Sequence, residues 1–232
     1  MPKLKKSDSK SFVINDGEQE YKFVNDIGNL SYIKNRVDRM FNKEPETIAW
    51  IKSMHQSSVF YDVGANIGLY TIYAAIKKQC TTYSFEPHAA NFKNIIENIE
   101  ANKLTKSYAY PVAINKKFRL SSMSVKNLYA GVADNVVDSS GEIYHGVVSI
   151  SLDNAVQQNI LPQPNYIKVD VDGFERNVFE GSREVFKNAK SILIEIDQKD
   201  IQLVDDIKNL GFRLESEHVR NTVEKNYIFT AV

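Results

Sequence analysis

Residues 59–70, "VFYDVGANIGLY", constrain this chain more than any other stretch. An apolar run rich in β-formers meets an acid, Asp62. Gly64, Asn66 and Gly68 follow, and then the apolar helical recurrence of "LYTIYAAIKKQ". A buried strand, a glycine loop and a helix in direct succession make a βα unit, and such a loop lets a backbone approach a ligand closely. A tight turn alone would also use the glycines, so the ligand must be argued from what lies further on.

The strand–helix alternation continues. "TTYSFEP" reads as a second strand stopped at Pro87, and "AANFKNIIENIEAN" places Phe92, Ile95, Ile96 and Ile99 on one helical face. "SYAYPVAIN", "NYIKVDV" and "SILIEID" read as the third to fifth strands, with the amphipathic "ERNVFEGSREVFKNA" between the last two. Strands alternating with helices imply an α/β fold around a mostly parallel sheet, closed here by "GFRLESE" and "NYIFTAV" as a C-terminal antiparallel pair. Ahead of the first core strand, residues 1–10 read as a disordered tail and "SFVINDGEQEYKFVND" as a hairpin turned at Asp16-Gly17. "EPETIAWIKSM" reads as a helix with Pro45 in its first turn. Residues 1–54 thus form an N-terminal extension and residues 55–232 one domain, with a turn-rich insertion at about 116–153 expected to cap the acceptor and to move.

Composition narrows the function classes. With 29 basic and 29 acidic residues, no global field favours nucleic acid or an anionic membrane. No apolar run approaches a membrane span and no signal-peptide core is visible, so a soluble, cytoplasmic protein is expected. The single cysteine, Cys80, precludes an intramolecular disulfide and has no base beside it in sequence. His55, His145 and His218 lack metal-ligand spacing and read as solvated or capping residues. No metal is expected.

Glu86 ends the second strand about 20 residues after the glycine loop, where a carboxylate accepts both hydroxyls of a ribose. Dinucleotides and S-adenosylmethionine both meet that description. The G-x-x-x-G spacing, the acid Asp62 two residues before Gly64, and the terminal antiparallel pair favour S-adenosylmethionine. A nicotinamide oxidoreductase and a noncatalytic cofactor-binding subunit are the alternatives, the first disfavoured because no second substrate domain is visible.

The segments "FYDVGANIGLYT", "SFEPHAANFKNIIENI", "ISLDNAV", "YIKVDVDGFERNVFEGS" and "ILIEID", in this order and with "EPET" before them, resemble FkbM-type methyltransferases over residues 44–232. The resemblance implies a class I, Rossmann-like, seven-stranded fold using S-adenosyl-L-methionine, with transfer usually to a hydroxyl oxygen of a sugar, lipid or natural product. It puts the cofactor loop on Asp62, Gly64, Ala65, Asn66 and Gly68 and the ribose acid on Glu86, followed by Pro87. Asp172 stands where the family's D-V-E-G motif has glutamate. Asn115 is placed to meet the adenine amino group, or simply serves a turn; His88 reads as a surface residue rather than an adenine contact.

Within "YIKVDVDG", alternation puts Lys168, Asp170 and Asp172 on one face if the strand stays extended. Buried charge needs a partner, and the neighbouring fifth strand offers Glu195 to Lys168. Asp170 is then expected near the methyl donor, with Asp170 or Asp172 orienting or deprotonating the acceptor hydroxyl. A purely bracing ion-pair network, or a divalent cation held by Asp170, Asp172 and Glu195, are the other readings of the same residues.

Overall fold

A computed structural model describes residues 3–8, 11–24, 30–125, 129–131, 136–137, 143–220 and 223–232. The chain opens with strands β1 (Lys3–Asp8), β2 (Ser11–Asn15) and β3 (Glu20–Val24), then helices α1 (Leu30–Lys43) and α2 (Pro45–Ser53). The expected βα alternation follows as β4 (Val59–Val63), α3 (Leu69–Lys77), β5 (Thr81–Phe85), α4 (Ala89–Ala101) and β6 (Ser107–Tyr110). Next come β7 (Ala113–Ile114), β8 (Arg119–Val125), β9 (Val136–Val137), β10 (Ile143–Ile150) and α5 (Leu152–Gln157). The chain ends with β11 (Tyr166–Val169), α6 (Glu175–Glu180), α7 (Arg183–Lys187), β12 (Ser191–Asp197), α8 (Gln202–Lys208), β13 (Phe212–Val219) and β14 (Glu224–Ala231).

The central sheet has seven strands in the order β13-β14-β12-β11-β4-β5-β6. Its core is parallel, and β14 runs antiparallel to both β12 and β13, as the terminal pair predicts. The order reverses between β4 and β11, which is where an open α/β sheet leaves a crevice beyond its carboxyl ends. One face carries α5 to α8 on an apolar layer that includes Ile167, Ile194, Phe179 and Phe186. The other packs α1, α2 and α3 through Val37, Ile51, Ile72 and Tyr73. That second face also buries charge: Asp62, Lys168, Glu195 and Glu44 are all nearly inaccessible.

Several elements depart from the sequence reading. The expected tail contains β1, which pairs antiparallel with β2 in a separate three-stranded sheet. In α4 the buried positions are Asn91, Asn94, Ile95 and Asn98, whereas Ile96 is 43% exposed. The reason is a row of side-chain amides that acts as a surrogate strand edge for β3. Asn98 Oδ1 accepts from Val24 N at 2.7 Å, Asn94 Nδ2 donates to the Val24 carbonyl, and Asn102 both accepts from and donates to the Lys22 backbone. The third strand is split after Tyr110, ahead of Pro111, so that β7 joins a second sheet, β7-β10-β8-β9, built from the insertion. The helix read between the fourth and fifth strands is likewise two, α6 and α7, broken at Gly181, where a Cβ would lie 2.1 Å from the Asn115 carbonyl oxygen. Among the described residues, no helix is long and apolar enough to cross a membrane.

Candidate functional site

The glycine loop closes over the β4–β11 crevice. Gly64 has φ +81°, and a Cβ there would sit 1.8 Å from the Asp170 carbonyl oxygen. Its hydrogen is therefore demanded first by the end of β11 and only then by any ligand. Gly68, also left-handed, is the N-cap of α3.

A cavity opens beside this loop, walled by Gly64, Asn66, Glu86, Pro87, Asn115 and Asp172, with apolar cover from Phe85, Ile114, Met123 and Phe174. Glu86 is 6% exposed. Its Oε2 accepts from Asn66 N and its Oε1 from His88 N, both at 2.8 Å, so the carboxylate ties the glycine loop to the start of α4. Burial raises its pKa to about 7 against the opposing pull of those two amides. Each oxygen retains acceptor capacity toward the cavity. Asn115 Oδ1 accepts from Lys116 N at 2.7 Å, which is the turn role, although the residue also lines the cavity.

Asp62 lines no wall of this cavity. It is 1% exposed, accepts from Thr71 through Oδ2, and leaves Oδ1 without a hydrogen-bond partner. Burial raises its pKa; the Lys168 charge opposes the shift. Ala65 belongs to a neighbouring recess with Lys168, Tyr70 and Asp170.

A second, polar cavity shares Gly64, Asn66 and Asp172 with the first and is otherwise lined by Arg36, Arg39 and Lys43 of α1, Asp170, Glu195, Arg220 and Glu224. The expected Lys168–Glu195 pair is not formed. Lys168 Nζ instead meets Asp170 Oδ2 at 2.9 Å and lies over the Tyr70 ring. Glu195 Oε2 accepts from Arg220 Nε at 2.8 Å, and Arg220 reaches on to buried Glu44. The parallel register sets Lys168 between Asp62 and Leu193, one position short of Glu195 along the face. Nor do the three charges of "KVDVD" share one extended face, because β11 ends at Val169 and Asp172 has φ +51°. Glu175 pins this turn, accepting from Val171 N and Gly173 N.

The two acids of the second cavity are driven apart. Burial works against ionising Asp170, but the Lys168 ammonium outweighs it and holds the carboxyl below its ordinary range. Glu195 is raised by burial and by the Asp170 charge, with Arg220 only partly offsetting them. Among the described residues no group of three or more His, Cys, Asp and Glu takes a metal-holding arrangement.

The insertion does not wall this second cavity in its described part; Met123 of β8 lines the first. Its turn-rich centre, apart from Val136 and Val137, lies outside the described residues. His88, read as a surface residue, is 1% exposed, caps α4 by accepting from Asn91 N, and packs edge-on against His145 with ring centroids 5.8 Å apart. His145 is thus partly buried rather than solvated. Cys80 is buried and its thiol pushed up to about 11, so it is a packing residue. Sequence reasoning missed Glu44, Arg220 and the α1 cations, whose relevance comes from contacts more distant along the chain or from a shared cavity, and Glu175, which pins the turn just before it. A local signal for Glu44 was its place directly before Pro45 at a helix start.

Comparison with known proteins bears on the family and the fold. A curated relative, hexuronic acid methyltransferase AglP of Haloferax volcanii, is 27% identical over 160 residues, covering 65% of this chain and 62% of that protein. The chain thus matches less than two thirds of the relative's length. Sp1610 of Streptococcus pneumoniae, solved with S-adenosyl-L-methionine, shares the fold at a TM-score of 0.51 and 12% identity over 80% of this chain and 72% of that one. The Bacillus subtilis M1A22 tRNA methyltransferase TrmK does so at 0.50 and 8% identity, over 82% and 66%. The family's cofactor is S-adenosyl-L-methionine, which suits a glycine loop beside a cavity with Glu86 at its edge. The model of the methyltransferase FkbM domain matches residues 62–214, and the chain belongs to that family.

Proposed function

We propose that this protein transfers a methyl group to an oxygen of a sugar acceptor bound in the second cavity. The supporting observation is that this cavity shares Gly64, Asn66 and Asp172 with the cofactor cavity and presents two acids whose proton affinities are driven in opposite directions. The sugar is inferred from the name of the Haloferax relative.

S-adenosyl-L-methionine supplies an electrophilic methyl group when bound. Glu86 would hold its ribose, and Ile114 and Met123 would flank the adenine. On the acceptor side, ionised Asp170 accepts a hydrogen bond from the attacking hydroxyl and orients it. Glu195, raised to about 8, is the stronger base of the two once ionised, and in that form takes the proton as the oxygen attacks. Arg220 holds Glu195 in place and Glu44 holds Arg220. Positioning of the hydroxyl between these two acids contributes much of the rate.

Glu195→Gln tests the reading, because it keeps the shape and removes the base. Turnover on sugar acceptors should fall by about 10²- to 10⁴-fold, with S-adenosylhomocysteine affinity and melting temperature kept. Unchanged turnover refutes the base assignment, and a melting temperature that falls in step with activity assigns the ion-pair chain to bracing.

A further inference from the structure

We infer that the α1 wall of the second cavity is an anion subsite that selects acidic sugars, with Arg39 and Lys43 gripping the carboxylate or phosphate of the acceptor. The inference rests on the sugar-acceptor reading above and adds to it the charge of the substrate.

Three cations of α1, Arg36, Arg39 and Lys43, recur at spacings of three and four and line one cavity. The whole chain balances 29 basic against 29 acidic residues, so this concentration is local. On the floor of the cavity Asp170 is taken by Lys168, and Glu195 by Arg220, which Glu44 also holds, while Asp172 and Glu224 add two further carboxylates to its lining. On the wall the balance is different. Arg36 spends its Nε–H on the Gly131 carbonyl. Lys43 lies 3.6 Å from Glu44, beyond hydrogen-bond distance, and that carboxylate already serves Arg220. Arg39 is exposed and forms no ion pair among the described residues.

Acids that manage hydroxyl protons thus face a cationic wall on which Arg39 has no ion-pair partner among the described residues and Lys43 has only a long one. A neutral sugar would leave Arg39 and Lys43 solvated as before. An acidic sugar would place its hydroxyls toward Asp170 and Glu195 and its anionic group on the opposite wall. A guanidinium matches a carboxylate or phosphate in two parallel hydrogen bonds, which fixes orientation as well as affinity.

The test is calorimetric titration of the full chain, saturated with S-adenosylhomocysteine, by glucuronic acid, glucose 6-phosphate and glucose. At least one acid should bind tenfold or more tighter than glucose, and whichever does so identifies carboxylate or phosphate as the anion. Arg39→Ala combined with Lys43→Ala, both exposed helix positions, should erase that preference while glucose binding stays the same. Glucose binding as well as either acid, or a preference that survives the double substitution, overturns the anion subsite and leaves the sugar reading standing. Binding of none of the three counts against the sugar reading itself, and this inference falls with it.

Discussion

The cavity beside Glu86 takes its walls from loops that directly follow β4, β5, β7 and β11, with Met123 added from β8. The cavity beside Glu195 instead borrows α1 from the N-terminal extension and Arg220 from beyond β13. The first is mostly apolar around a single buried carboxylate. The second is built from interlocked charges. A ligand common to a whole fold can be held by loops that the fold always places together, whereas a particular acceptor needs groups brought from outside that frame. The difference predicts that perturbing the extension reaches the second cavity and spares the first.

The largest effect should come from Lys168→Met. Lys168 is 2% exposed and sits among Asp170, Asp62 and Glu44, whose charges outweigh burial and raise its pKa. Removing it strands buried carboxylates without a cation, at a cost of about 3–5 kcal/mol in urea unfolding. A loss below about 1 kcal/mol would mean that the charges of the second cavity are not interlocked.

Glu86→Gln probes the first cavity. Loss of charge-assisted bonds to the ribose should weaken S-adenosylhomocysteine binding by about tenfold to a hundredfold, read by calorimetry. The same carboxyl gives a pH signature. Its folded pKa of about 7 exceeds the ordinary value of 4.5, so the folded state holds the proton more tightly, and the Glu86 contribution to stability declines as pH rises from 4.5 to 7. Glu86→Gln should abolish that decline, shifting the difference between variant and wild type by about 3 kcal/mol in favour of the variant across this window. Cofactor affinity of the wild type should fall as pH drops through about 7. A pH-independent difference would place the ribose contact elsewhere.

The smallest effect is expected from Asn102→Ala, which removes two hydrogen bonds joining α4 to the Lys22 backbone at an exposed site. About 1 kcal/mol should be lost. Hydrogen exchange should quicken in β3 and α1 while cofactor affinity holds. Equal loosening of both cavities would erase the distinction between them.

Much of this was legible in the chain. The βα alternation, the hairpin at Asp16-Gly17, the Pro45 helix start and the terminal antiparallel pair all follow from local pattern and were found as read. The Glu86 position was legible because the end of a strand fixes where its last side chain stands relative to the preceding loop. The α4 face was misread because periodicity ranks Ile96 above asparagine. The Asn94, Asn98 and Asn102 amides face inward because the β3 edge, 70 to 80 residues away, needs partners.

Sequence by itself determined the fold class, the glycine loop with the acid that ends the next strand, and the presence of buried charge in β11 and β12. Those depend on backbone preferences and on spacing within one element, which no distant contact can change. Tertiary structure alone decided which charges pair and what walls the second cavity. Lys168 chose Asp170 and Glu195 chose Arg220 because strand register and the course of the chain set those distances. Coulomb energy in a poorly screened interior falls with distance and takes no account of separation along the chain.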